Sequence, residues 1–387
     1  MSWRRSTDPD FDAAELHALL RLRMLPALPD HRLQEILNQH GRSACAVVRA
    51  ASAALLGAVA WRALHERPTI ERTDRALRMI ERLGVTVLTV FDEAYPARLR
   101  RLQSYQPTVL FCRGRTELLD AERSIAIIGA RNSTEYGDSV AEMFASELAQ
   151  HAVVIVSGLA RGIDSVAHRA ALDARGDTVA VLGCGIDVFY PPANARLQQR
   201  IAEQGLLISE FAPGQPALPY HFPQRNRIIA MLGRGVLVVE AGSRSGTRRT
   251  VDWALDHSVD VLAIPGPIGR NESQGTNEII QQGGHLVVCV RDILEVLQWP
   301  ARAVERAAEA DDGAAHVADA DARAVFAKLD VTALHVDDIA RRCGRSTVDT
   351  LGLLTQLELA GVVAQHAGKR FARVITPQRR NRPPRTG

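Results

Sequence analysis

The residues best placed to do chemistry in this 387-residue chain lie in four glycine-bearing turns. They read IIGARNSTEYG (Ile127 to Gly137), SGLARGIDSVAH (Ser157 to His168), LGCGIDVFYPPAN (Leu182 to Asn194) and EAGSRSGTRRT (Glu240 to Thr250). Each follows a short apolar run, so each is expected at the carboxyl end of a strand, where a loop enters a helix and backbone N–H groups point outward. Three of the four add arginine. Amides and guanidinium groups together hold phosphate. One such turn would be explained by the tight bend that glycine allows. Four in one sheet, several with arginine, favour a phosphate-holding surface. The candidates are Gly129, Ala130, Arg131, Asn132 and Ser133 in the first turn, Ser157, Gly158, Arg161 and Gly162 in the second, and Gly246, Thr247 and Arg248 in the fourth.

The segment PALPYHFPQRNRIIAML (Pro216 to Leu232) differs in kind. Its prolines frame Tyr220, His221 and Phe222, and Arg225, Asn226 and Arg227 follow at once. Aromatic rings interleaved with arginine suit a single-stranded nucleic acid, whose bases stack on rings while cations track the backbone. The alternative is a structural loop with Phe222 in the core. His221 has no second ligand at helical or turn spacing, which disfavours a metal role. Arg248 and Arg249 would lie in the first turn of a helix beginning near Gly246 and Thr247, where the macrodipole disfavours cations by up to about 1 kcal/mol. A bound anion or a nearby carboxylate would offset that cost; two solvated arginines are the alternative. Asp164, His168 and Glu240 could be ligands, caps or hydrogen-bonded scaffolding, with helix capping the preferred role for Asp164. Neither a G-x-G-x-x-G fingerprint nor a G-x-x-x-x-G-K-[ST] loop occurs, so no dinucleotide cofactor and no P-loop ATPase are expected.

The elements that must position these residues follow from periodicity. From Asp12 to about Leu83 apolar residues recur at helical spacing, interrupted by Pro26 and Pro29 and by a stop at Gly41, which predicts a bundle of short helices. After Gly84 the runs SIAIIG, AVVIVSG, TVAVLG, GLLISE, GVLVVEA, DVLAIPG and HLVVCV alternate with helix-length segments. Strands apolar on nearly every residue imply a sheet covered on both faces, hence a doubly wound, mostly parallel α/β fold of Rossmann-like type over residues 84–298. Residues 299–320, rich in alanine and charge, read as a linker. Three short helices and a hairpin over 321–376 predict a winged helix, and 377–387 form a basic, proline-containing tail expected to be disordered.

Composition narrows the classes further. The 47 Lys and Arg against 44 Asp and Glu give a formal charge of +3, which excludes a histone-like polycation but allows a local basic groove. No apolar run spans a bilayer, no secretory signal is expected at the N-terminus, and the five scattered cysteines form no CxxC pair. A cytoplasmic protein without a structural zinc or a disulfide framework is expected.

Taken in order, SIAIIGARNSTEYG, VVIVSGLARGIDSVAHRAAL, VAVLGCGIDVFYP, HFPQRNRIIA, GVLVVEAGSRSGT and AIPGPIG…SQGTNEIIQQGG resemble the DNA-processing protein A (DprA, or Smf) family across the whole α/β region. The resemblance implies a bacterial, non-enzymatic protein without cofactor that binds incoming single-stranded DNA and loads the RecA recombinase during natural transformation. It places the strand over the carboxyl-end pocket, on Gly129 to Ser133, with Phe222 as the aromatic and Arg225 and Asn226 beside it. Some relatives carry a lysine where this chain has Pro219, and apolar residues where it has Arg248 and Arg249. The resemblance also implies a helix-hairpin-helix-like (SAM-like) N-terminal module over 1–83, a winged helix at the C-terminus, and a homodimer through the α/β domain. The winged helix would read duplex DNA through about Ser346 to Ala360, although that stretch is poor in basic residues and a protein contact suits it equally.

Two other classes compete. LOG-type nucleotide phosphoribohydrolases share such a sheet and carry PGGxGTxxE, whose glutamate does acid–base work. Aligning their GT on Gly246 and Thr247 puts Thr250 at the glutamate position, which leaves hydrolysis without its catalyst unless Glu240 or Asp164 substitutes. A winged-helix transcription factor with a sensory α/β domain would bind duplex in a sequence-specific way.

Overall fold

The computed structural model describes residues 13–243, 245–300, 319–329, 333–366 and 368–373. Among the described residues six helices come first: α1 (Ala13–Arg23), α2 (Asp30–Gln39), α3 (Ala44–Arg49), α4 (Ala53–Leu56), α5 (Ala58–His65) and α6 (Arg67–Leu83). Local chemistry sets their limits. Ser43 and Ser52 cap α3 and α4 by accepting from the amides of Ala46 and Leu55 at 3.0 and 3.2 Å. Glu15 reinforces the start of α3, accepting from the Ser43 hydroxyl at 2.6 Å and the Ala44 amide at 2.7 Å. Helix α6 ends at Gly84 in the left-handed conformation. Leu16, Leu20, Leu33, Ile36, Leu37 and Leu64 are buried, and their cluster runs on to Val87, Phe111 and Leu207 of the sheet that follows. Gln34 ties the two parts together, donating to the Gln106 carbonyl at 3.0 Å and the Thr108 hydroxyl at 3.2 Å.

The central unit contains β1 (Thr86–Thr89), α7 (Ala97–Arg100), β2 (Val109–Gly114), β3 (Ser124–Ile128), α8 (Glu135–Gln150), β4 (Val154–Ser157), α9 (Ile163–Asp173), β5 (Thr178–Leu182), α10 (Ala195–Gln204), β6 (Leu206–Ser209), α11 (His221–Leu232), β7 (Gly235–Val238), α12 (Thr247–Asp256), β8 (Asp260–Ala263), α13 (Asn271–Gln281), β9 (His285–Leu286) and α14 (Val290–Val296). The sheet order is β1-β2-β6-β5-β4-β3-β7-β8-β9. It is parallel from β6 to β9, and β1 and β2 add an antiparallel edge. In β3, Ile125 and Ile127 pack with Phe144 and Leu148 of α8 on one face, while Ala126 and Ile128 pack with Ile228 of α11 on the other. Burial on both faces explains why these strands are apolar at successive positions. The antiparallel edge adds two strands to those that the apolar runs predict. The expected strand HLVVCV pairs only at His285 and Leu286; the Asp292 carboxylate then accepts from the amides of Val288 and Cys289 at 2.8 and 3.1 Å and turns the chain into α14.

The C-terminal unit has α15 (Ala320–Lys328), β10 (Leu334–His335), α16 (Val336–Cys343), α17 (Thr347–Leu359), β11 (Val363–His366) and β12 (Arg370–Arg373), with strand order β10-β12-β11. Three helices beside a small antiparallel sheet make a winged helix, closed over Val325, Ile339, Leu354, Leu357 and Phe371. Most of the expected linker, residues 301–318, and the whole tail, 377–387, lie outside the described residues. No helix among the described residues is long and apolar enough to cross a membrane.

Candidate nucleic-acid interface

Strands β3 and β7 are neighbours, but α8 leaves β3 toward one face and α12 leaves β7 toward the other. This is the switch point of the sheet, where diverging helices open a crevice at the carboxyl ends. The first, second and fourth glycine turns meet there. The Ile163 amide donates to the Ala130 carbonyl at 3.2 Å, and the Thr247 hydroxyl donates to the Gly129 carbonyl at 3.4 Å. Gly162 permits the approach: its φ is +74°, and a Cβ there would lie 2.2 Å from the Ala130 oxygen.

Beneath the turns lies a polar scaffold. The Asp164 carboxylate accepts from the amides of Gly158 and Ala160 at 3.2 and 3.3 Å, so it clips the loop before α9 rather than capping the helix. Burial pushes its carboxyl above the ordinary range, and the Arg225 charge opposes this. Arg225 is buried and donates to the carbonyl of Gly158 at 2.8 Å and to that of Val181; burial lowers its pKa to about 10. The Ser157 hydroxyl donates to the Ile127 carbonyl at 2.6 Å. Glu240 lies under the first turn, accepting from the Thr134 amide at 2.9 Å and the Thr134 hydroxyl at 2.5 Å at the start of α8. A Cβ at Gly137 would meet it at 2.2 Å. Burial raises the Glu240 carboxyl, and the two bonds from Thr134 oppose the rise. His168 is fully buried, its Nδ1 2.6 Å from the Thr178 hydroxyl, which itself donates to the Ile155 carbonyl at 2.7 Å. Asp164, His168 and Glu240 are therefore scaffolding.

The exposed rim consists of Arg131, Asn132 and Arg161, with Arg161 Nη2 3.4 Å from Asn132 Oδ1. Ser133 is half-buried and donates to Asp138 at 2.5 Å. Phe222 stands at the start of α11, half-buried rather than in the core. Its ring lies over Gly183, where a Cβ would meet the ring at 2.8 Å, and 5.2 Å from the Tyr190 ring between centroids. The Arg131 guanidinium covers it at 5.4 Å from the centroid. Phe189 and Tyr190, each 41% exposed, complete an aromatic rim that the candidate residues did not include. The signal for them was the FYPP of the third turn.

Several candidates face inward. Arg225 and Ser157 are buried and donate to backbone carbonyls beneath the crevice. Arg227 is buried with both Nη atoms on Glu210, at 2.6 and 2.8 Å, and its Nε on the Tyr105 carbonyl at 2.7 Å. A guanidinium so engaged cannot track phosphate. Asn226, half-buried, accepts from Arg225 Nε at 3.3 Å. Arg248 turns toward Glu278 at 3.6 Å, which supplies the carboxylate that offsets its place at a helix N-terminus. Gly246 is exposed, Thr247 is buried at the seam, and Arg249 is exposed. Among the described residues no group of His, Cys, Asp and Glu is arranged to hold a metal ion. What the crevice offers is a cation over an aromatic ring, rimmed by a second cation, an amide side chain and further rings.

The sequence model of DNA recombination-mediator protein A matches residues 86–298, and that of the DprA winged helix domain matches residues 304–369. Protein Smf of Escherichia coli K12 is 39% identical over 306 residues, covering 76% of this chain and 79% of that protein. DNA processing protein DprA of Streptococcus pneumoniae is 44% identical over 211 residues, covering 54% of this chain and 74% of that protein. The X-ray structure of DNA processing protein A from Streptococcus pneumoniae superimposes with a TM-score of 0.62 at 35% identity, covering 72% of this chain and 97% of that one. A structure of DNA processing protein A from Helicobacter pylori, described for its single-stranded DNA binding mode, gives 0.50 at 30% identity and covers 56% of this chain and 96% of that one. The α/β unit with its crevice and the winged helix both carry the match, and the chain belongs to the DNA recombination-mediator protein A (DprA/Smf) family.

Proposed function

We propose that this protein binds single-stranded DNA in the switch-point crevice and serves, without enzymatic chemistry, as a recombination mediator that hands the strand to RecA in transformation. The observation that carries the reading is Arg131, exposed and poised over the accessible ring of Phe222 beside Tyr190. Phosphate on the cation and a base on the ring is how sequence-tolerant single-strand binders work. The single-stranded binding mode described for the Helicobacter pylori relative supports the same ligand. A hydrolase reading finds less support, because Thr250 is buried and Glu240 and Asp164 are tied into the scaffold. A homodimer through the α/β unit, working in the bacterial cytoplasm, belongs to the same proposal.

The test is fluorescence anisotropy of labelled oligothymidine with unlabelled duplex as competitor at two salt concentrations. Salt-sensitive binding that duplex cannot displace is the expected result. Equal preference for duplex, or release of adenine from adenosine monophosphate at catalytic rates, would overturn the proposal. A RecA filament-assembly assay on strands coated with a single-strand-binding protein then tests the loading step, where no acceleration would remove it.

A further inference from the structure

A second cavity, of about 360 Å³, lies where the helical region meets the α/β unit. The helical side supplies Arg23, at the end of α1, and Arg72 of α6; the other side supplies Phe211, Tyr220, His221 and Gln224. Its volume falls in the range of small-ligand pockets, roughly 300–1,000 Å³. Arg23 Nε and His221 Nδ1, on two of its lining residues, lie buried behind the wall rather than open to the cavity. His221 is only 6% exposed and stacks on Phe211 at 3.9 Å and 24°. Tyr220 is 65% exposed, its ring edge-on to His221 at 4.7 Å.

The charges at this seam are unevenly matched. Glu210 is committed to Arg227 and to Gln224, whose Nε2 donates to it at 2.8 Å. Arg23 turns its Nη2 toward Asp30 at 3.3 Å and Glu210 at 3.8 Å, which leaves its Nε facing no acceptor. Arg72 is exposed and has no carboxylate partner among the described residues; it donates only to the Pro68 carbonyl and the Thr69 hydroxyl of its own helix. An exposed ring beside a cation with no carboxylate partner, at the mouth of a cavity, fits a planar heterocycle carrying a phosphate.

We infer that this seam cavity is a second nucleotide subsite, with a base against Tyr220 and a phosphate on Arg72. The inference rests on the single-strand reading in one respect: His221 of the seam and Phe222 of the crevice are adjacent residues in the first turn of α11, so the two sites border one another. The occupant is then the next part of the same strand, and the helical region shares in holding it. A free nucleoside monophosphate has the same chemistry.

The test uses the full chain carrying Tyr220→Ala together with Arg72→Ala, both exposed positions, beside Phe222→Ala. Labelled oligothymidines of about 4 and about 20 nucleotides, bracketing the reach of one binding fold, report binding by anisotropy. The expected result is a loss of tenfold or more on the longer strand, less than twofold on the shorter, and a salt slope lower by about 0.7. Calorimetry with deoxyadenosine monophosphate separates the sources: heat that survives Phe222→Ala and disappears in the double variant assigns the seam to a free nucleotide. A double variant that matches wild type with both strands and with the mononucleotide would overturn the subsite. If Phe222→Ala still weakened the strands, the crevice reading would survive that failure. If Phe222→Ala bound normally while the double variant did not, the crevice reading would fail and the seam would stand.

Discussion

Replacing Phe222 by alanine removes the ring at the centre of the crevice while leaving the backbone of α11 in place. The ring is half-buried, so its loss exposes Gly183 without opening a core cavity. Its contacts decide how a base can dock. The Tyr190 and Phe222 centroids are 5.2 Å apart and the planes tilt by 36°, whereas a base inserted between them would need about 7 Å, two carbon–carbon spacings. A base therefore stacks on the outside of the pair or displaces the Arg131 guanidinium from the ring. In either case one stacking platform is lost, worth about 1–3 kcal/mol. At 1.4 kcal/mol per decade this predicts that the dissociation constant for oligothymidine rises about 5- to 150-fold. Anisotropy titration of wild type, Phe222→Ala and Phe222→Trp, with circular dichroism to confirm folding, measures it. Tryptophan should retain most of the affinity, because what is needed is a π-face. A folded alanine variant that binds within twofold of wild type would refute the stacking argument.

Arg131→Ala should weaken binding and reduce the slope of log affinity against log salt by about 0.7, one phosphate contact's share on a single strand; an unchanged slope removes Arg131 from the strand. Gly162→Ala forces a side chain onto a backbone with φ of +74° and against the Ala130 carbonyl, so a stability loss of about 1–3 kcal/mol with weaker DNA binding is expected in chemical denaturation, and wild-type stability would contradict the close approach. Arg227→Met should cost up to about 3–5 kcal/mol by leaving the buried Glu210 with only Gln224 and Arg23 as polar partners, and Glu210→Met with Arg227→Met should recover part of it; a fully stable single variant would show that the pair is not buried. His168 predicts a pH dependence. Burial, and secondarily the Arg225 charge, lower its pKa to about 3, against 6.5 in the unfolded chain. Between these values the unfolded chain binds a proton that the native protein refuses, so stability falls as pH drops from 6.5 toward 3. In His168→Gln that contribution vanishes, and the two denaturation curves should converge by about 1.4 kcal/mol per pH unit on acidification; parallel curves would refute it.

The four glycine turns, the alternating strands and the helix starting at Thr247 were legible because each is local. A turn needs glycine at one position, a strand buried on both faces needs consecutive apolar residues, and a helix start needs only its own first turn. Periodicity failed at HLVVCV, where Asp292, beyond the apolar run, captures two amides and starts a helix, and it passed over β1 and β2, whose place at the edge depends on pairing with β6.

Side-chain direction was not legible. Arg131 and Arg225 are the same residue type in equally polar motifs, yet one is exposed over a ring and the other is buried against two carbonyls. Arg225 and Arg227, two positions apart, are both turned inward by α11 because Gly158, Val181, Glu210 and Tyr105, from four distant parts of the chain, offer them acceptors. Tyr190 joins Phe222 from a loop 32 positions earlier in the chain. Sequence by itself thus determined the elements and the family, since local sterics and hydrophobic period act along the chain. Which cations meet solvent, which rings meet each other and where the helical region closes a seam were decided by tertiary structure, because burial and hydrogen-bond satisfaction depend on groups brought together only when the sheet assembles.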